Sequence, residues 1–487
     1  MGDNAVEHRS YLVGNTKYKI WSQAFMLFDE MEFGSFMEAE HKVRKAFELY
    51  EDGEMPQALA ELEAAIDINP SNSSWHFNKA LTLDSINRFE EAISEYEIAL
   101  QLSPNDLETL NSLAVDYTRT GHYDLAIETF EQIQTLDPKF EPCYCNRIIT
   151  YTEMGQHDLA EEMFYLAQQI EPDCPLCYYN IGNSLFIRSQ YKKAIHCWLK
   201  TAELEPSHPQ INYRIAQAYW SDGDNKRSRE YFLSELRLNP GDVDVILDFG
   251  LFLLDIGDTE SAKEKFNRIL ELKPAFAPAM FYAGEIAFNS ADYERAAELF
   301  DRALQENSSL TGPQYRLAQY ALIKGQKQKA RNYLISEMNL APEDTDTLVS
   351  MGSMFLTIGD LDYAVHCLLK AVDVDCASAD AYYYLGVVSV IKGAFEHAAE
   401  FFANTLDINP QDVRALRDSA DVYLKMGRLD LAAERISKAR LLADDDFRLR
   451  VLQWRIRAGQ LTERIGDYLW WLRPRSISYL AGKVRKL

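Results

Sequence analysis

The chain has 487 residues, of which 47% are hydrophobic and 26% charged, and a formal net charge of −25 at pH 7. Such a composition is too apolar for a disordered chain, and no window approaches the ~18 uncharged apolar residues of a membrane span. The negative charge argues against nucleic acid, because phosphate affinity comes largely from Lys and Arg and would here oppose the protein's own field.

The first 20 residues carry acidic groups and no apolar stretch beside a basic one, so neither a secretory signal nor a transit peptide is expected. Val6 stands where a myristoylation pattern wants Ser or Thr. The seven cysteines, an odd number in a chain long enough to bury a core unaided, read as reduced thiols. A cytoplasmic protein is therefore expected. Trp21, Phe25, Met26, Phe28, Met31, Phe33 and Phe36 make the lead of residues 1–38 apolar, and it is expected either to cap the open end of the array as a helix or to form an exposed dimer or partner contact.

From residue 39 to 446 a period of 34 residues runs twelve times without a gap. The eighth position is Ala or Gly in eleven copies, as at Ala46, Gly182, Gly284 and Gly386, and Ile148 is the exception. Position 20 is Ala throughout apart from Ser228, and position 24 is always large and apolar, as at Tyr96, Phe130, Phe164, Trp198 and Phe402. Small residues at 8 and 20 let two helices approach, and the large residue at 24 fills the space between them. A Gly at position 15 in nine copies suits the left-handed residue that ends a helix, and Pro at position 32 in nine copies stops the next. Each unit is thus helix, turn, helix, with stacking burying the face that one unit alone would expose.

A longer period lies inside the short one. Tyr213-Arg214-Ile215-Ala216-Gln217 matches Tyr315-Arg316-Leu317-Ala318-Gln319, three repeats on, and Glu235 matches Glu337 at position 27. A block of about 102 residues, 207–308 and 309–410, is inferred to be duplicated. A Glu at position 27 falls where the second helix packs, so it must be solvated or hydrogen-bonded; a tolerated surface drift or a pair with Arg214 or Arg316 are the two readings.

Residues 447–487 invert the charge, with ten Lys or Arg against Glu463 and Asp467. Residues 447–472 read as capping helices that end in a Trp-containing stretch, followed by a short basic tail with an apolar side. That tail is expected either to fold on the acidic array, to touch a membrane surface, or to dock on an acidic partner.

The twelve copies resemble the tetratricopeptide-repeat family, and the unbroken frame is similar in kind to the long array of O-linked N-acetylglucosamine transferase, with nothing resembling its transferase domain. The resemblance implies an all-α fold, an α-solenoid wound as a right-handed superhelix, whose first helices line a concave groove that binds peptides or partner domains. Positions 2, 5, 9 and 12 of the first helices would face that groove. From the fifth to the ninth repeat this face holds Tyr179, Asn183, Phe186, Tyr213, Gln217, Trp220, Phe281, Phe288, Tyr315 and Gln319, with Arg214 and Arg316 beside them. Aromatic anchors next to amides and guanidinium groups are the composition of a peptide-holding surface. Position 5 also packs between repeats in the family, so Trp220 and Phe288 at position 12 are the more telling. Asn78, Asn146 and Asn180 at position 6 match backbone-gripping asparagines of the transferase array, in only three repeats. The Lys, Asn and Arg set of a chaperone-binding clamp is not assembled.

Chemistry has few candidates. Cys143, Cys145, Cys174 and Cys177 start first helices of adjacent repeats and would be neighbours, but a Cys-x-Cys spacing directs two side chains to diverging faces and buried cysteines are usually hydrophobes, so no metal is expected. His196-Cys197 and His366-Cys367 are adjacent on helices and cannot face each other. No phosphate loop or nucleophile elbow is present, so no cofactor and no catalytic residue is assigned. The expected function is a non-catalytic scaffold or adaptor, or else a regulatory or substrate-delivery subunit of a larger complex.

Overall fold

Between the two helices of every repeat stands one residue in the left-handed region, with φ from +58° at Ser189 to +100° at Gly359. Glycine fills this place nine times; Asn87, Ser189 and Ala291 adopt it without glycine's freedom. The computed structural model describes residues 30–443 and 446–471. Among them are 25 α-helices, numbered here in chain order, and no strand. The chain is an all-α solenoid of paired helices, of about 13 residues for the first and 14 for the second. No described helix is long and apolar enough to cross a membrane.

Some of the acidic residues serve helix starts. Asp106, Asp224, Asp258, Asp292, Asp344, Asp360 and Asp412 each accept a backbone N–H from the first turn of the helix that follows. A carboxylate there satisfies an orphan donor and meets the positive end of the helix dipole.

The chain forms two compact units, Met1–Phe252 and Leu253–Leu487. In the first, Tyr96, Phe130, Trp198 and Phe232 at position 24 are almost wholly buried over alanines or a serine at position 20. Burial of a side chain of this size contributes about 1.5–3 kcal/mol. What stands at position 8 decides how deep the large residue goes. Gly182 lies so close to Trp198 that a Cβ would come within 2.4 Å of its Nε1. In the fourth repeat Ile148 takes that place, and its Phe164 is only half-buried, edge-on to Tyr178 at 5.3 Å.

The second unit repeats the rule. A Cβ on Gly284 or Gly386 would meet Phe300 or Phe402 at 2.6 Å, and one on Gly352 would meet Leu368 at 2.7 Å. At its end a single helix, α25 (Phe447–Trp471), lays Leu449, Leu452 and Ile456 on the core that contains Ile436 and Ala439. Phe447 and Trp454 point outward, about three-quarters exposed. At the other end of the chain α1 (Glu30–Glu51) runs through residue 38 into the first repeat. Trp21, Phe25 and Phe28 of the lead and the basic tail beyond residue 472 lie outside the described residues.

Glu235 and Glu337 are buried, and among the described residues neither is the partner of an arginine. Glu337 lies on α18 (Lys327–Asn339) and accepts the backbone N–H of Gly312 at 2.6 Å and of Tyr315 at 3.1 Å. These donors open α17 (Pro313–Ile323), the first helix of the same repeat. The first helix of repeats two to five, seven, eight and ten to twelve begins at position 1, whereas α11 (Ile211–Asp222) and α17 begin two residues later. In both duplicated repeats the residue before the helix, Gln210 or Gly312, has positive φ. In the ninth repeat the Glu337 carboxylate supplies acceptors to N–H groups at the start of the shortened helix. Burial pushes the Glu337 carboxyl up, and the N–H groups of Gly312 and Tyr315 oppose that shift. Glu235 accepts instead a bond from Asn239 Nδ2 at 2.8 Å.

Candidate functional site

The aromatic and amide residues of the fifth to ninth repeats lie on first helices, at spacings of three or four that place them along one face of each helix. In the first unit, Tyr179 on α9 (Pro175–Ile187) is buried with its ring 4.4 Å from that of His208. Phe186 is half-buried, between Tyr191 at 5.4 Å and Trp198 at 5.6 Å. Asn183 is half-buried, and its side chain has no hydrogen-bond partner among the described residues. Trp220 packs edge-on to Phe252 at 5.8 Å and keeps part of its surface open.

Around Asp248 a polar network assembles that sequence reading missed. Its Oδ2 accepts the Tyr213 hydroxyl at 2.6 Å and Gln217 Nε2 at 2.8 Å, while Arg214 Nη1 reaches Gln217 Oε1 at 3.5 Å. Burial and the Asp248 charge hold the Tyr213 hydroxyl well above the usual phenol range. Arg214 has no carboxylate within 4.0 Å among the described residues, and its Nε is buried without an acceptor.

The duplicate in the second unit is closed differently. Arg316 grips Glu285 through a fork, Nε to Oε1 at 2.6 Å and Nη2 to Oε2 at 2.5 Å. Its Nη1 donates to Gln319 Oε1 at 2.9 Å, and Gln319 Nε2 donates to the Tyr315 hydroxyl at 2.7 Å. The guanidinium also covers the Phe288 ring at 5.2 Å. Phe281 lies against Phe300 at 5.8 Å and under Gly312, whose missing Cβ would meet it at 2.7 Å. Phe281, Phe288, Tyr315, Arg316 and Gln319 are thus joined by contacts within this unit. Glu285 stands at position 9 of the repeat before Arg316; the same position before Arg214 is Asn183, which carries no charge. That difference explains the fork in one copy and its absence in the other.

Of the asparagines at position 6, Asn146 and Asn180 turn inward, while Asn78 is half-buried. Asn146 Nδ2 donates to Asn111 Oδ1 at 3.0 Å and Asn180 Nδ2 to the Cys145 carbonyl at 3.1 Å, each reaching the repeat before. Both are buried and hold repeats together. Of the cysteines at the fourth and fifth repeats, Cys143 turns away and donates its thiol to the Phe130 carbonyl at 3.4 Å, while Cys145 joins Cys174 and Cys177.

Sequence profiles described as Tetratricopeptide repeat match residues 179–243, 247–310, 351–413 and 390–453, and one described as Psidin, N-terminal TPR repeats region, matches 40–169. The chain is a tetratricopeptide-repeat protein. Proteins of this repeat family generally act through contacts with other proteins. The BBSome complex member BBS4 of Bos taurus is 29% identical over 113 residues, which is 23% of this chain and 21% of that protein. The chain thus matches about a fifth of that relative's length. Among solved structures, the APC/C hetero-tetramer Cut9-Hcn1 aligns over 88% of this chain and 98% of its own at 13% identity and a TM-score of 0.42. Yeast Tom70 aligns over 92% of this chain and 99% of its own at 14% identity and a TM-score of 0.37.

Proposed function

We propose that this repeat protein is a non-catalytic scaffold that holds an extended, acidic segment of another polypeptide along the first helices of its fifth and sixth repeats. The observation that carries this is Arg214, a guanidinium without a carboxylate partner among the described residues in a chain of net charge −25, with the unengaged amide of Asn183 at the position that Glu285 holds relative to Arg316. Arg214 is half-buried, and a ligand carboxylate that meets the accessible part of its guanidinium forms charge-assisted bonds there. Asn183 has the donor and acceptor to hold a peptide backbone, and Phe186 and Trp220 offer apolar surface on either side. Tyr213 and Gln217, fixed by Asp248, keep the Arg214 helix face in place. Phe281, Phe288, Tyr315, Arg316 and Gln319 form a second surface of the same type, with its cation already neutralised, suited to less acidic sequence. Work in the cytoplasm is part of this proposal, and it rests on the cysteine count and the composition of the sequence.

Selection from a library of extended peptides tests the reading. Peptides rich in Asp or Glu should be retained, less so at high salt, and Arg214→Gln should abolish the acidic preference while Arg316→Gln leaves it. Identical selection by the wild type and Arg214→Gln would remove the assignment.

A second reading, membership of a multi-protein assembly, rests on the match to a BBSome subunit. Its test is the mass of the native particle and the stoichiometry of co-purifying chains; isolation as a single species under gentle conditions would count against it.

A further inference from the structure

Glu141 and Cys145 sit one turn apart at the start of α7 (Glu141–Glu153), and Cys174 and Cys177 span the start of α9. Residues four apart share a helix face, so the partner of Cys145 on α7 is Glu141, whereas Cys143, two residues away, faces elsewhere. One ligand atom from each of Glu141, Cys145, Cys174 and Cys177 lies within 4.8 Å of all the others. The three cysteines are buried and Glu141 is half-buried, leaving the carboxylate as the open side of the cluster.

We propose that these four residues bind a zinc ion that clamps the fourth repeat to the fifth. In a tetrahedral site with Zn–S of 2.3 Å the donor atoms are about 3.8 Å apart, so closure asks for shifts of about 1 Å or less. Three thiolates select a soft, tetrahedral cation over magnesium or calcium. The outer contacts needed to orient thiolates are in place. The Cys177 backbone N–H points at Cys174 Sγ at 3.3 Å, and Asn180 Nδ2, held by the Cys145 carbonyl, approaches Cys145 Sγ at 3.5 Å. The N-termini of α7 and α9 both open at the cluster, and their dipoles offset the negative charge that three thiolates and a carboxylate leave on the ion. In the metal-free arrangement Cys177 Sγ donates to Glu141 Oε1 at 2.9 Å. Metal binding replaces that proton and those of the other two thiols, releasing them to solvent.

The full-length protein, purified under reducing conditions without added metal, should carry stoichiometric zinc by elemental mass spectrometry. Cys174→Ser with Cys177→Ser should lose it, and Cys143→Ser and Cys367→Ser should keep it. Should the double variant fail to fold, cobalt(II) titration of the chelator-stripped wild type still decides, because a three-thiolate site gives an intense sulfur-to-cobalt charge-transfer band and tetrahedral d–d bands. Glu141→Gln should retain the charge-transfer band and alter the d–d bands. Absence of both zinc and the cobalt charge-transfer band in reduced wild type would overturn the proposal, as would a Cys174–Cys177 disulfide in the protein as isolated or full retention of zinc by the double variant.

Discussion

Trp198 Nε1 donates to the carbonyl of Tyr179 at 3.1 Å across the bare Cα of Gly182, three residues further along α9. The indole replaces a side chain on the facing helix, and its one polar atom is satisfied by that helix's backbone. Gly182→Ala puts a methyl group into the ring. Overpacking of this kind costs about 1–3 kcal/mol, to be read as a lower midpoint in thermal or urea unfolding. Gly182→Ala with Trp198→Leu should recover part of the loss, and equal stabilities for the two variants would refute the contact.

Ser189 and Ala291 hold φ of +58° and +61° where nine repeats use glycine. A left-handed conformation costs a residue with a Cβ about 1–2 kcal/mol. Ala291→Gly is therefore expected to raise the unfolding midpoint although it removes a methyl group. A lower midpoint would mean that the Ala291 side chain supports the turn.

Glu337 supplies the acceptors for the shortened start of α17. Truncation by Glu337→Ala leaves buried N–H groups without partners, at about 1–3 kcal/mol. Glu337→Gln, which keeps an acceptor oxygen, should lose less. Arg316→Ala should leave the α17 start unchanged, and faster amide exchange at Gly312 and Tyr315 in Glu337→Ala but not in Arg316→Ala is the check.

Asp116 is buried beside Asp84 and Arg119, and burial foremost, with the Asp84 charge next, raises its carboxyl from 3.8 to about 8 against the pull of Arg119. The folded state thus holds a proton that the unfolded chain releases. This group's stabilising contribution is complete below the unfolded value of 3.8 and is lost as pH rises toward about 8. Asp116→Asn cannot ionise, so its melting temperature should fall less than that of the wild type across this range. Parallel profiles for the two proteins would show that the carboxyl is not so shifted.

The sequence alone determined the repeat, because a 34-residue helix pair puts the same steric demand on the same position twelve times: small at 8 and 20, large at 24, left-handed at 15. Ile148 stood out as the one large residue at position 8, but its consequence, the half-buried Phe164, was visible only in the structure. Side-chain partnerships between repeats were not legible, since they depend on which of several polar atoms the packing brings within reach. Asp248 and Glu285 close networks around Tyr213 and Arg316 from neighbouring repeats, and Glu337 turned to backbone N–H groups rather than to an arginine. The cysteines show the same division. Their spacing correctly sends Cys143 and Cys145 to different faces, but only the stacking of α7 on α9 brought Glu141 into the place that Cys143 leaves.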